Sequence, residues 1–177
     1  MFATIYLPNF YLQAALRHQP ELCEKPVALI EEQEKKPLII QLNEAAEKSG
    51  ICKGMTPSQA LARSLEIVIK VRARTQEKSI QEILLHQAFT LSPFVEATGP
   101  GICTVQFTDY RHLQTKVERA IQRLAKCEIR AQAGITATPD TSFLAAHLAR
   151  PVLHIENVKE FLAPLSIETL GAPSPVS

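Results

Sequence analysis

The sequence predicts an α+β fold, a mixed β-sheet with helices on one side, and three observations carry that expectation. Short β-prone runs alternate with longer stretches of helical apolar spacing along the 177 residues. Near the middle, residues 92–108 (S-P-F-V-E-A-T-G-P-G-I-C-T-V-Q-F-T) read as two strands around a Gly99-Pro100-Gly101 turn, so one strand pair is antiparallel. A hydrophobic content of 46% against 21% charged residues supplies a proper core for one domain, or one domain with a small lobe.

Each element has its own local cause. Residues 2–7 form a first strand, and Pro8 then opens a helix, since proline fits a first helical turn. Phe10, Leu12, Ala15 and Leu16 give that helix its apolar residues, and Gln19-Pro20 breaks it. Residues 26–30 and 37–42 are a second and third strand, joined by a charged, solvated turn over 31–36. Asn43 caps a short helix over 44–49, left through Gly50, and Thr56-Pro57 starts another through Ala60, Leu61 and Ala62. Residues 67–71 read as a buried strand. A long amphipathic helix over 75–91 follows, with Ile80, Ile83, Leu84, Ala88 and Leu91 on one face.

In the hairpin, Cys103, Val105 and Phe107 alternate with Thr104 and Gln106, the pattern of a strand half-buried on one face. Its tip carries no group able to bind a metal or move a proton. Thr108 or Asp109 caps the next helix, whose face is Leu113, Val117, Ala120, Ile121 and Leu124. A strand over 129–135 comes next, then a helix capped by Asp140 or Thr141 and ended by Pro151. A short strand over 152–155 and a short helix over 158–165 close the folded part, and 171–177 is a flexible tail.

Formal net charge is +1. Residues 1–100 hold eleven basic and eleven acidic side chains and the remainder eight and seven, so no global basic field advertises nucleic acid. A polyanion would have to be met by a local patch. The four cysteines lie far apart, with no C-x-x-C and no histidine at ligand spacing, which reads as free thiols and no metal site. The N-terminus has no basic leader or cleavage site, and no apolar run reaches membrane-spanning length. The expectation is a cytoplasmic protein with no membrane partner.

Five segments, in order, resemble the Y-family (translesion, UmuC-type) DNA polymerases. R-H-Q-P-E-L-C-E-K-P-V-A-L is similar to the lead into that family's x-P-x-L-x-x-K-P-V segment, and S-G-I-C-K-G-M-T-P-S-Q-A to its fingers segment G-V-x-x-G-M-x-x-x-x-A. S-P-F-V-E stands where the family has S-P-x-V-E before its catalytic hairpin. A-G-I-T resembles its S-V-G-I strand, and F-L-A-P-L-S-I-E-T-L its approach to the thumb. The resemblance covers nearly the whole chain. It implies a palm and fingers over residues 1–170, with a small helical fingers lobe, roughly 26–75, inserted in the palm sheet. Thumb and little finger are absent from this sequence.

The family's chemistry uses two divalent metal ions, Mg²⁺, held by carboxylates. Carried across, the first of those acids falls on Tyr6 and the adjacent pair on Gly101 and Ile102. The triphosphate-contacting tyrosine and arginine fall on Glu44 and Glu47, which repel phosphate, and a later lysine falls near Ala146. Phe10 and Tyr11 match the aromatic pair of the sugar pocket, a remnant of the nucleotide site. This pattern is similar to the ImuB-type homologues, which keep the fold without the acids. The resemblance then implies no catalytic residues, no metal and no cofactor. It implies an accessory factor in damage-induced (SOS) mutagenesis, DNA repair and translesion synthesis, with DNA as a weak partner and other replication or repair proteins as further ones. Two alternatives stay open: an active nucleotidyltransferase with relocated acids, and a truncated remnant without independent function.

Several residues carry a sharp and a bland reading. Glu96 and Asp109 lie near the hairpin as replacement acids, but Asp109 reads as a helix start and Glu96 sits five residues before the tip. Tyr6 and Tyr11 stack on a base or, more commonly, pack in the core. Lys70, Arg72 and Arg74 alternate at strand spacing and are the candidate DNA-phosphate contacts, against the commoner solvated face. The five histidines receive no role.

Overall fold

The structure, a computed structural model, describes residues 1–31 and 36–165. Most of the expected turn at 31–36 and the whole expected tail at 171–177 lie outside the described residues. The fold is mixed α+β, and the chain divides into two compact units, Met1–Pro8 with Gln81–Ser177, and Asn9–Ile80.

The first unit is built on β1 (Phe2–Tyr6), the central strand of a five-stranded sheet. The hairpin strands β5 (Val95–Gly99) and β6 (Ile102–Gln106) lie on one side of it, and β7 (Gln132–Thr136) and β8 (Val152–His154) on the other. β1 runs antiparallel to both β6 and β7, and β8 runs parallel to β7. Helices α5 (Leu113–Lys126), α6 (Pro139–Leu148) and α7 (Val158–Leu162) follow the hairpin in the chain.

The sheet is buried on both faces, where helices on one side were expected. Ala3, Ile5 and Leu7 point to one face and have no exposure; Thr4 points to the other and has none either. The Thr4 face is covered by α6, which approaches β7 so closely that a Cβ on Gly134 would lie 2.3 Å from the Ala146 backbone nitrogen. Burial on both faces also explains β6, where Cys103, Thr104 and Val105 are all buried. The expected half-exposed alternation fails there because Thr104 finds a hydroxyl partner in place of water.

Two helix starts differ from expectation. α5 begins at Leu113 with His112 in the left-handed region at its N-terminus, so neither Thr108 nor Asp109 caps it. Asp109 instead binds Arg111, through its backbone and side chain, and Lys116. α6 is capped by Thr138, whose hydroxyl accepts from the Thr141 N–H, with Pro139 in its first turn. At α6 the turn geometry selected Thr138 among several side chains of capping type, whereas α5 starts without a side-chain cap.

The second unit holds a three-stranded sheet in the order β3 (Ile39–Leu42), β2 (Val27–Ile30), β4 (Val68–Val71). Strand alternation sorts its side chains. Val27 and Leu29 face Leu12 and Ala15 of α1 (Phe10–Leu16), while Ala28 joins a cluster with Ala46 of α2 (Glu44–Lys48) and Ala60 of α3 (Pro57–Arg63). Pro8 lies outside α1, which starts two residues later behind Asn9. Asn43 caps α2 as expected and does more: its Oδ1 accepts from Ala46 and Val27 N–H groups and its Nδ2 donates to the Lys25 carbonyl. Thr56 and Gln59 form a capping box on α3. β4 is an edge strand, half-buried with Val71 39% exposed, where a buried strand was expected. The division between units falls within α4 (Arg74–Phe89), which buries Ile80, Leu84 and Ala88. No described helix is long and apolar enough to cross a membrane.

Candidate functional site

Register brings three distant positions together in the first unit. Tyr6, the last residue of β1, pairs with Ile102, the first of β6. Gly101 precedes Ile102 at the hairpin tip, and its carbonyl accepts from the Leu7 N–H at 2.8 Å. The tip is held from α4, where Gln81 Oε1 accepts the Gly101 N–H at 2.7 Å. Gly101 has φ +70°, a left-handed turn conformation that glycine adopts without strain.

Aromatic rings gather at the end of β1. Tyr6 stacks on His147 of α6 with ring centroids 4.1 Å apart, and His147 also contacts Phe143 at 4.5 Å. A carbonyl can only accept, so His147 Nδ1 carries the hydrogen it donates to Phe143 O at 2.9 Å. Burial pushes the Tyr6 phenol above its ordinary value. Behind the stack, Thr4 Oγ1 bonds Thr104 Oγ1 at 3.1 Å and Ser142 Oγ at 2.7 Å, a buried hydroxyl chain linking β6, β1 and α6. Sequence reasoning missed His147 and Phe143. The available signal was their spacing of four in a helix, which puts both rings on one face.

A tyrosine, a glycine and an isoleucine do not fit a pair of divalent cations, because none offers a carboxylate oxygen. Among the described residues no group of three or more His, Cys, Asp or Glu could hold a metal ion. Glu96 pairs with Thr104, one strand further out and two residues along from Ile102, so it does not join the Tyr6 group. It lines a separate cleft of about 270 Å³ with Phe2, Phe94, Thr104 and Pro139.

The remaining candidates lie in the second unit. Phe10 is buried and meets Tyr11 edge-on at 5.4 Å. The Arg72 guanidinium lies 3.9 Å over the Tyr11 ring. Strand geometry ends at Val71, so the alternation of Lys70, Arg72 and Arg74 does not continue as one strand face; Arg74 is the first residue of α4. Lys70 donates to Gln19 Oε1 at 2.7 Å. Arg72 is bidentate to Glu77 (2.9 and 2.6 Å) and also reaches Glu31 at 2.7 Å, which Arg74 shares at 2.9 Å. Hydrogen bonds donated to Glu77 foremost hold the Arg72 guanidinium further above its ordinary value. Burial works to raise the Glu31 carboxyl, yet Arg72 and Arg74 together hold it below its ordinary value. Glu31 is therefore an ion-pair residue, not part of a solvated turn. Glu44 is bridged to Lys48 at 2.7 Å, which partly offsets its charge, and Glu47 is exposed.

Residues 5–147 match the impB/mucB/samB family. A curated relative, DNA polymerase IV of Ralstonia nicotianae, is 26% identical over 172 residues, covering 91% of this chain and 48% of that protein. The chain thus spans about half the length of the curated relative it matches. Among solved structures, an insertion ternary complex of Dbh DNA polymerase superposes with a TM-score of 0.84 at 15% identity, over 96% of this chain and 53% of that one. DinB from Sulfolobus solfataricus gives 0.81 at 16%, over 96% and 53%. At such identities these structures show the fold alone, a mixed α+β fold matching the palm and fingers of Y-family polymerases.

Proposed function

The chain belongs to the impB/mucB/samB family, and from that premise we propose that it is a Y-family polymerase-like protein without polymerase chemistry, an accessory factor in DNA repair and translesion synthesis. One observation carries the reading. By the resemblance of the motifs the family's metal-binding acids fall at Tyr6, Gly101 and Ile102, and this reading is supported by the β1–β6 register, which sets Tyr6 against Ile102 with the Tyr6 ring packed on His147. This supports an ImuB-like role in damage-induced mutagenesis. Phe10 and Tyr11 keep the aromatic pair of the nucleotide pocket, now braced by Arg72. Four free cysteines support a cytoplasmic location.

DNA is the first partner this reading names, and other repair or replication proteins the second. Through residues 70–74 the grip is shallow: Arg72 and Arg74 are paired with Glu31 and Glu77 and Lys70 donates to Gln19, leaving a net charge of +1.

The test is nucleotide binding read by thermal unfolding. A ligand at a hundredfold over its Kd stabilises a protein by about 2.7 kcal/mol, or several degrees at roughly 2–4 °C per kcal/mol for this size. Magnesium with a deoxynucleoside triphosphate is expected to add no shift beyond magnesium alone. A saturable, nucleotide-dependent rise at sub-millimolar concentration refutes the reading in favour of an active nucleotidyltransferase. The triple variant Tyr6→Asp, Gly101→Asp, Ile102→Glu is expected to stay inactive in primer extension, since Glu44 and Glu47 still oppose the triphosphate.

A further inference from the structure

The near-neutral charge of the whole chain hides a local excess. Between residues 109 and 126 five cations (Arg111, Lys116, Arg119, Arg123, Lys126) stand against two carboxylates (Asp109, Glu118), a net +3 within a chain of net +1. Four of those cations lie on α5 at spacings of three, four and three. At about 100° per residue they fall within a sector of roughly 80°. The helix buries Leu113, Val117, Ala120, Ile121 and Leu124 on a different side, so the stripe faces water. Arg119, Arg123 and Lys126 are exposed, and their side chains have no hydrogen bond or ion pair among the described residues. Lys116 lies 3.6 Å from Asp109, which it shares with Arg111. Glu118, the one acid on the helix, sits about 120° round from the middle of the stripe and accepts from Gln114 at 2.8 Å.

We propose that this face of α5 contacts the sugar–phosphate backbone of nucleic acid, with Lys116, Arg119, Arg123 and Lys126 as phosphate partners and no reading of bases. Length fits the partner. Residues 116–126 span about 15 Å at 1.5 Å per residue, and one DNA strand places roughly four phosphates in that distance at 3.4 Å each. Chemistry fits as well: every large apolar side chain of α5 is buried, so the stripe offers no anchor to a lipid surface or to a protein partner. Charge alone is a sufficient basis for backbone binding. The surface is separate from the Tyr6 site, and the proposal stands or falls without the reading of that site.

The experiment is fluorescence anisotropy of the full chain with a labelled duplex of about 20 base pairs across a salt series. Three or four neutralised phosphates give a log–log salt slope of about −2.7 to −3.6. Replacing Arg119, Arg123 and Lys126 with glutamine is expected to reduce the slope by about 2.7 and to weaken low-salt binding at least ~10-fold. A control with Lys25, Lys53 and Lys78, all exposed, replaced by glutamine has the same net charge and is expected to keep the parental slope. Unchanged melting curves show that both variants fold. The proposal is overturned if the parent binds no DNA, if the stripe variant keeps its slope, or if the control loses as much. It is also overturned if polyglutamate or phosphatidylserine vesicles bind more tightly than DNA, or if two unrelated duplexes differ more than ~10-fold.

Discussion

Gly134→Ala tests how closely α6 rests on the sheet. A Cβ built at Gly134 lies 2.3 Å from Ala146 N, 2.4 Å from Ser142 O and 2.6 Å from Ala145 C. Ordinary carbon contacts begin near 3.5 Å, so α6 must withdraw by about 1 Å. All three obstacles are backbone, and no rotamer change relieves them. That withdrawal strains the 2.7 Å bond from Thr4 to Ser142 and the Tyr6–His147 stack, both of which depend on where α6 lies. Overpacking of a core costs about 1–3 kcal/mol, and an immovable helix backbone puts this site at the upper end. At roughly 2–4 °C per kcal/mol, the melting temperature falls by about 6–12 °C. Circular dichroism melts and urea denaturation measure it, with an unchanged m-value showing that the denatured state is the same. Gly54→Ala is the control: nothing lies within 4 Å of its Cβ, but its φ of +84° is left-handed, so it loses only about 1–2 kcal/mol. A Gly134→Ala protein melting within ~2 °C of the parent would show that the helix–sheet contact yields easily and refute the argument.

Two further outcomes follow from buried groups. Arg72→Met leaves Glu77 and Glu31, whose side chains are 10% and 19% exposed, without their main cation, and is expected to cost about 2–4 kcal/mol in denaturant unfolding. The Glu31 carboxyl is depressed in the folded state, so its contribution is fully present above the ordinary value near 4.5 and drains away as pH falls through the lower folded value. Arg72→Met is expected to flatten that acid loss; an identical pH profile in the two proteins would contradict the pairing. Burial pushes the Cys103 thiol up to about 12, while Cys23, Cys52 and Cys127 are exposed. Iodoacetamide at pH 8 followed by mass spectrometry is expected to give three adducts on the native protein and a fourth only after unfolding. Labelling of Cys103 at the rate of the others would show that the sheet centre opens.

The sequence by itself determined the alternation of elements, most of the strands, and the caps of α2 and α3. Asn43 and Thr56 cap through bonds spanning three residues, and the Gly99-Pro100-Gly101 turn rests on the left-handed freedom of Gly101, so their signatures are legible in one dimension. The resemblance of the sequence motifs is also what assigns Tyr6, Gly101 and Ile102 to the positions of the family's acids, the assignment on which the proposed function rests. What packs on Tyr6 was decided only by the tertiary structure. His147 is 141 positions from Tyr6, and no local pattern signals that the two rings stack. Likewise Thr104 reads as a solvent-facing residue until Thr4 and Ser142 arrive from elements 100 and 38 positions away. The apparent strand face of Lys70, Arg72 and Arg74 dissolves once Glu31 and Glu77 come within bonding distance. The stripe on α5 lies between these cases. Its spacing is written in the sequence, but its meaning depends on which side of the helix the core claims. A charge becomes a surface feature only when the fold has decided which neighbours neutralise it and which leave it facing water.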